Sequence, residues 1–139
     1  MVRKVLMAIV IVSLLGACAV PRTKVDSCPA FGSHRYVNHE VEVNWESKQT
    51  PSGVRVAGEV SNMRTDTPYN SFQMTVKLLD ENGQELGKGS KTFPERFMGT
   101  ESFSIDIPVK EPAKFKRINF AYSYGTVEDF YKRDFETVP

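Results

Sequence analysis

An all-β sandwich of six to seven antiparallel strands is the fold class this sequence predicts, on three observations. Beyond residue 36, apolar and polar residues alternate at period two through most of the chain, which gives each strand one face to bury. The alternating stretches are short and divided by clusters of Gly, Pro, Asn, Asp and Ser, the residues that close turns. Strands with one apolar face each are satisfied by packing two sheets face to face.

The first strand is expected to start at Tyr36, with Val37, Val41, Val43 and Trp45 on the buried face and Asn38, Glu40, Glu42 and Asn44 on the other. This phase also places His39 on the apolar face. Turn formers at 49–53 lead into Val54, Val56, Gly58 and Val60, an antiparallel partner for the first strand. A loop at 62–70 separates this pair from Phe72, Met74, Val76 and Leu78, the clearest alternation in the chain. Asn82-Gly83 accepts the positive φ angles of a type I′ turn, so Leu79 and Leu86 should flank a tight hairpin. The returning strand at 84–92 carries Gly87, Gly89, Lys88 and Lys91 and little apolar matter, the composition of an edge. After a crossover at 93–100 come Phe103, Ile105, Ile107 and Val109, then Ile118, Phe120, Tyr122 and Tyr124 as the last strand. The core is expected around Trp45, Val60, Phe72, Val76, Phe103, Ile105 and Phe120.

The C-terminus follows another spacing. Val127, Phe130, Tyr131 and Phe135 fall at helical intervals, Thr126 and Asp129 suit an N-cap, and Lys132 and Arg133 suit a helix C-terminus. A short helix is expected at 127–135, packed on the sandwich or on a partner, because an isolated helix of that length is marginal in water.

The N-terminus reads as an address. Arg3 and Lys4 form a basic n-region, Val5 to Leu15 an apolar run of 11 residues, and Gly16-Ala17 the small pair that fits a peptidase cleft. The run is shorter than the roughly 20 apolar residues a membrane-spanning helix needs. Leu15-Gly16-Ala17-Cys18 resembles a bacterial lipobox. The resemblance implies removal of 1–17, acylation of Cys18 and a membrane foot, since two or three acyl chains anchor a protein far more firmly than one. Ala19 in place of Asp favours sorting to the outer membrane, facing the periplasm. Residues 18–35, rich in Pro, Gly and Ser, read as a lipidated tether to a sandwich domain at 36–125, with 126–139 as the tail.

The 122 residues left after processing suit one domain. Their 16 Lys+Arg against 17 Asp+Glu leave no charge block of either sign, so nucleic acid is not an expected partner. With Cys18 spent on lipid, Cys28 has no internal partner and is free, buried or paired with another chain.

From Val56 to Phe103 the pattern is similar to FxLYD-type and related immunoglobulin-like domains of prokaryotic surface proteins. The residues are Gly58-Glu59-Val60-Ser61-Asn62, Val76-Lys77-Leu78-Leu79-Asp80, Asn82-Gly83 and Gly99-Thr100-Glu101-Ser102-Phe103, with Val76 and Leu79 replacing the Phe and Tyr of the name. The resemblance implies an immunoglobulin-like sandwich that binds or spaces and carries no catalytic residues. Function argued from a shared fold is analogy.

Candidate chemistry is sparse. Cys28, His34 and His39 have a C-x5-H-x4-H spacing, looser than the paired ligands of zinc sites, and neither a metal nor a cofactor is expected. No G-x-S-x-G or Gly-rich phosphate loop occurs, and no histidine follows residue 39. Two loops offer recognition residues, since loops on a rigid scaffold often carry binding. Arg64, Asp66 and Tyr69 lie in one. Phe93 and Phe97 lie in the other, either folded into the sandwich or presented to a partner. The expectation is a non-catalytic envelope lipoprotein that binds or positions another envelope protein. Its rivals are an assembly subunit of an envelope complex, joined through Cys28 or the C-terminal helix, and a small hydrolase with an unrecognised site.

Overall fold

The structure is a computed structural model and describes residues 34–139. The leader at 1–17, Cys18, Cys28 and nearly all of the expected tether lie outside the described residues. The fold is all-β: β1 (His34–Val37), β2 (Val41–Thr50), β3 (Gly53–Asn62), β4 (Asn70–Leu79), β5 (Glu85–Thr92), β6 (Thr100–Pro108), β7 (Arg117–Gly125) and β8 (Phe130–Thr137), with one 3₁₀ turn at Pro112–Lys114. They form two antiparallel four-stranded sheets, ordered β1-β2-β3-β6 and β5-β4-β7-β8.

The expected core residues Trp45, Val60, Phe72, Val76, Phe103, Ile105 and Phe120 are all buried between the sheets. β2 and β3 pair along their whole lengths, from Val41 opposite Asn62 to Thr50 opposite Gly53. Gly58 sits opposite Trp45, where a Cβ would strike the Asn44 carbonyl oxygen at 1.9 Å. β5 is an edge strand, as its lysines and glycines suggested.

Four local expectations are corrected. The first strand is a hairpin, not one strand, because Asn38 breaks it. The Asn38 Oδ1 accepts the Glu40 and Val41 N–H groups at 2.8 and 2.7 Å, and the Asn38 N–H donates to the Val41 carbonyl at 3.0 Å. Such side-chain to backbone bonds compete with the ladder. The reversal flips the phase, so Val37 is 43% exposed while Glu40, expected outside, is only 3% exposed. His39 leaves the expected apolar face and stands in the turn, its side chain 82% exposed.

The β4–β5 hairpin is likewise not type I′. Only Gly83 has positive φ there, at 80°. The Gly83 N–H bonds the Asp80 carbonyl, and the Asp80 Oδ1 accepts from the Asn82 and Gln84 N–H groups. A bulge follows, with Leu79 opposite Glu85 and Leu78 opposite Gly87. This is the longer turn-plus-bulge solution, in which Asp80 does the capping that a second positive φ would have made unnecessary.

The expected helix at 127–135 is a strand. Thr126 does cap, its Oγ1 accepting from the Glu128 and Asp129 N–H groups at 3.3 and 3.1 Å. Its own N–H, however, donates to the Asp129 carbonyl at 2.8 Å and closes a hairpin. β8 then runs back along β7, placing Tyr131, Arg133 and Phe135 opposite Tyr124, Tyr122 and Phe120. The helical spacing omitted Arg133. Included, it completes a period-two face at 131, 133, 135 and 137.

With the hairpin at the start and β8 at the end, the strands number eight rather than six or seven.

Candidate functional site

Strand directions divide the sandwich into two ends. The turn at 51–52, the hairpin at 80–84, the segment at 109–116 and the C-terminus lie at the proximal end, while β1 begins at His34, opposite Trp45 and midway along β2. The distal end gathers the β1–β2 turn at 38–40, the β3–β4 loop at 63–69, the β5–β6 segment at 93–99 and the β7–β8 turn at 126–129. Strands of nine or ten residues separate the two ends by about 30 Å.

At the distal end a buried carboxylate ties the elements together. Glu40 Oε2 accepts a hydrogen bond from the Tyr122 hydroxyl at 3.1 Å, and Oε1 faces Arg133 Nη2 at 3.5 Å and His39 Nε2 at 3.6 Å. Its carbonyl accepts from the Tyr69 hydroxyl at 2.8 Å and the Met63 N–H at 3.0 Å. The Asn38 amide donates to the hydroxyls of Tyr36 and Tyr122. Burial pushes the Tyr69 phenol up to about 12, with Arg64 opposing and the Glu40 charge adding to the shift. Burial also raises Tyr122 and Tyr124, and the Glu40 charge raises both further. These phenols therefore stay protonated at neutral pH, and those of Tyr69 and Tyr122 serve as donors. Glu40 thus ties β7, β8 and the β3–β4 loop to the start of β2.

The sequence-predicted residues separate into two groups. Tyr69, Phe93 and Phe97 are buried and pack around Phe72, with Tyr69 and Phe97 exchanging two backbone hydrogen bonds at 3.1 and 2.8 Å. Their rings belong to the core. Arg64 and Asp66 are exposed and, with Thr67, Pro68, Thr126, Val127, Glu128 and Tyr131, line a hollow of about 280 Å³ between the two distal loops. His34 stacks on Trp45 in β1 and His39 lies beyond the other end of that strand, so the two histidines do not converge. Among the described residues no three His, Cys, Asp or Glu side chains form a group able to hold a metal ion.

Sequence reasoning missed the apolar character of this end. Of the six large hydrophobic residues exposed among the described residues, Val37, Met63, Met98, Val127 and Phe130 are distal, and only Val138 is proximal. Val127 is 95% exposed. Two non-glycine residues with positive φ, Ser71 at 52° and Arg96 at 57°, also lie there. No periodic signal marks such residues, because each sits in a turn or just outside one.

No family model matches the chain, and no curated protein matches it. Among solved structures it is similar to a glycosyl hydrolase family 2 member from Bacteroides cellulosilyticus, with 6% identity and a TM-score of 0.39, over 69% of this chain and 14% of that one. Among the described residues no helix is long and apolar enough to cross a membrane.

Proposed function

We propose that this protein is an envelope lipoprotein, anchored through acylated Cys18 in the outer membrane and facing the periplasm. Its immunoglobulin-like domain, of FxLYD type, binds or positions another envelope protein without catalysis. The observation that carries the binding half is the gathering of exposed apolar side chains at the distal end of the sandwich. Scattered surface hydrophobics are ordinary, but five of six at one end make that end the candidate contact. Arg64 and Asp66, beside Val127 in the distal hollow, supply charge for orientation. The lipobox-like Leu15-Gly16-Ala17-Cys18 supports the anchor.

The anchor is tested by the intact mass and detergent partitioning of protein purified from membranes. Acyl mass on a chain that starts at Cys18 supports it; a chain that retains Met1 or lacks acyl mass refutes it. The contact is tested by pull-down from solubilised membranes with the wild type and with Met63→Asp/Val127→Asp. A stoichiometric partner retained by the wild type and lost from the folded double variant supports binding by the distal end. A partner held equally by both moves the contact elsewhere.

A further inference from the structure

The distal hollow between the β3–β4 loop and the β7–β8 turn is held open by both of its sides. Asn62 fixes the loop, its Nδ2 donating to the Thr67 carbonyl and its Oδ1 accepting from the Arg64 N–H, each at 2.8 Å. Thr126 fixes the turn through its Oγ1. Between them Tyr131 stacks on Tyr124 at 5.1 Å between centroids, and Tyr124 stacks on the buried Tyr69 at 4.0 Å, so the wall that Tyr131 supplies rests on the core. The volume of about 280 Å³ falls just below the range of roughly 300–1,000 Å³ usual for small-molecule sites. One long side chain of a partner suits that space better than a cofactor does.

The lining is acidic on balance. Asp66 comes from the loop and Glu128 from the turn, both exposed, against the single guanidinium of Arg64. Among the described residues Arg64 forms no ion pair with either carboxylate, so these charges are not spent on each other. The Thr67 hydroxyl donates to Asp66 Oδ1 at 3.0 Å and orients that carboxylate. Pro68 and Val127 add apolar surface, and Tyr131 adds its ring.

We propose that this hollow receives a lysine or arginine side chain of the protein partner. Such a side chain matches the lining part by part: its methylene stem lies along Pro68 and Val127, its cationic head meets Asp66 and Glu128, and Tyr131 offers the head an aromatic ring. An acidic side chain meets two carboxylates for one guanidinium. An apolar one desolvates all three charges and pairs none. The inference rests on the reading of the distal end as the contact and names what the partner presents there.

The test is an NMR titration of the full chain in detergent solution with Nα-acetyl-L-lysine amide and with its uncharged isostere, Nα-acetyl-L-norleucine amide, followed at the Val127 methyl and Tyr131 ring resonances. The lysine derivative should give saturable shifts with a dissociation constant on the order of millimolar, the scale open to a ligand of that size. The norleucine derivative should bind about tenfold more weakly, as should the lysine derivative to Asp66→Asn/Glu128→Gln, which removes two exposed ion pairs. Arg64→Gln should act the other way and tighten lysine binding by about threefold. Unmoved Trp45 and Phe72 resonances report that each variant is folded. Absence of saturable shifts, equal binding of the two derivatives, or lysine binding indifferent to the charge variants overturns the proposal. The probe is a free amino-acid derivative, so its failure is separate from failure of the contact: a negative titration beside a partner lost from Met63→Asp/Val127→Asp overturns the cationic occupant and leaves the distal contact standing.

Discussion

Along one long seam of the sandwich β5 lies against β6, and along the other β1 lies against β8. The first is closed by absence: a Cβ at Gly87 would stand 2.6 Å from the Pro108 carbonyl oxygen, and one at Gly89 would stand 2.4 Å from Ile105 Cγ2. The second is closed by plates, with Tyr36 and Phe135 stacked at 3.7 Å between centroids and Phe135 stacked in turn on Phe120 at 4.9 Å. Two sheets about 10 Å apart must meet at their edges somehow, and the two seams show that removing side chains and adding large flat ones both succeed. They differ in what they cost to disturb. The aromatic seam is made of buried area and fails by loss, whereas the glycine seam fails by intrusion.

The largest effect is expected from removing one side of the aromatic seam. Deleting residues 126–139 should lower stability by about 5 kcal/mol or unfold the domain, since Tyr131 and Phe135 each contribute about 1.5–3 kcal/mol and the edge of β7 is left bare. Chemical denaturation measures this, and a truncated domain as stable as the parent would refute the docking of β8. Phe135→Ala should cost about 3 kcal/mol by the same assay, near the lower range for buried aromatics because Phe135 is half-buried.

The phenols behind the aromatic seam add a pH signature that the glycine seam lacks. Their folded-state pKa values lie above the unfolded value of about 10, so the stability they contribute is complete below pH 10. It is lost as pH rises from there toward the folded values, by about 2 kcal/mol from Tyr69 alone. Alkaline denaturation followed by tyrosinate absorbance should show the change in absorbance coincident with unfolding. Exposed phenols titrating freely near pH 10 with the fold intact would contradict the burial.

The glycine seam should respond more mildly and in a set order. Gly87→Val should cost about 2 kcal/mol, because the opposing atom is backbone and the strands must part. Gly89→Val should cost about 1 kcal/mol, because the Ile105 methyl can turn aside. Thermal unfolding of the pair checks the ranking, and a reversal would mean that β6, rather than its side chains, yields.

Much of this architecture is legible in the chain itself. Alternation at period two located β2, β3, β4, β6 and β7 and the phase of each, because burial on one face of a pleated strand leaves no other pattern available. The same rule placed every expected core residue. The edge character of β5 was written in its glycines and lysines, although the reason for the glycines, the approach of β6, is a contact between strands distant in sequence. Of the candidate site, the exposure of the loop residues Arg64 and Asp66 was legible from their setting.

Three decisions belonged to the tertiary structure. Asn38 turned one expected strand into a hairpin, because two local hydrogen bonds from its side chain outweighed continuation of the ladder. Residues 130–137 became a strand, because β7 presented an open edge and a row of aromatic rings, whereas a short helix would have left those backbone groups unpaired and offered no better burial. Tyr69, Phe93 and Phe97 went inward, because the distal end needed filling and Tyr69 and Phe97 found backbone partners in each other. Sequence alone determined which residues avoid water; only the folded neighbours decided which of them water could still reach.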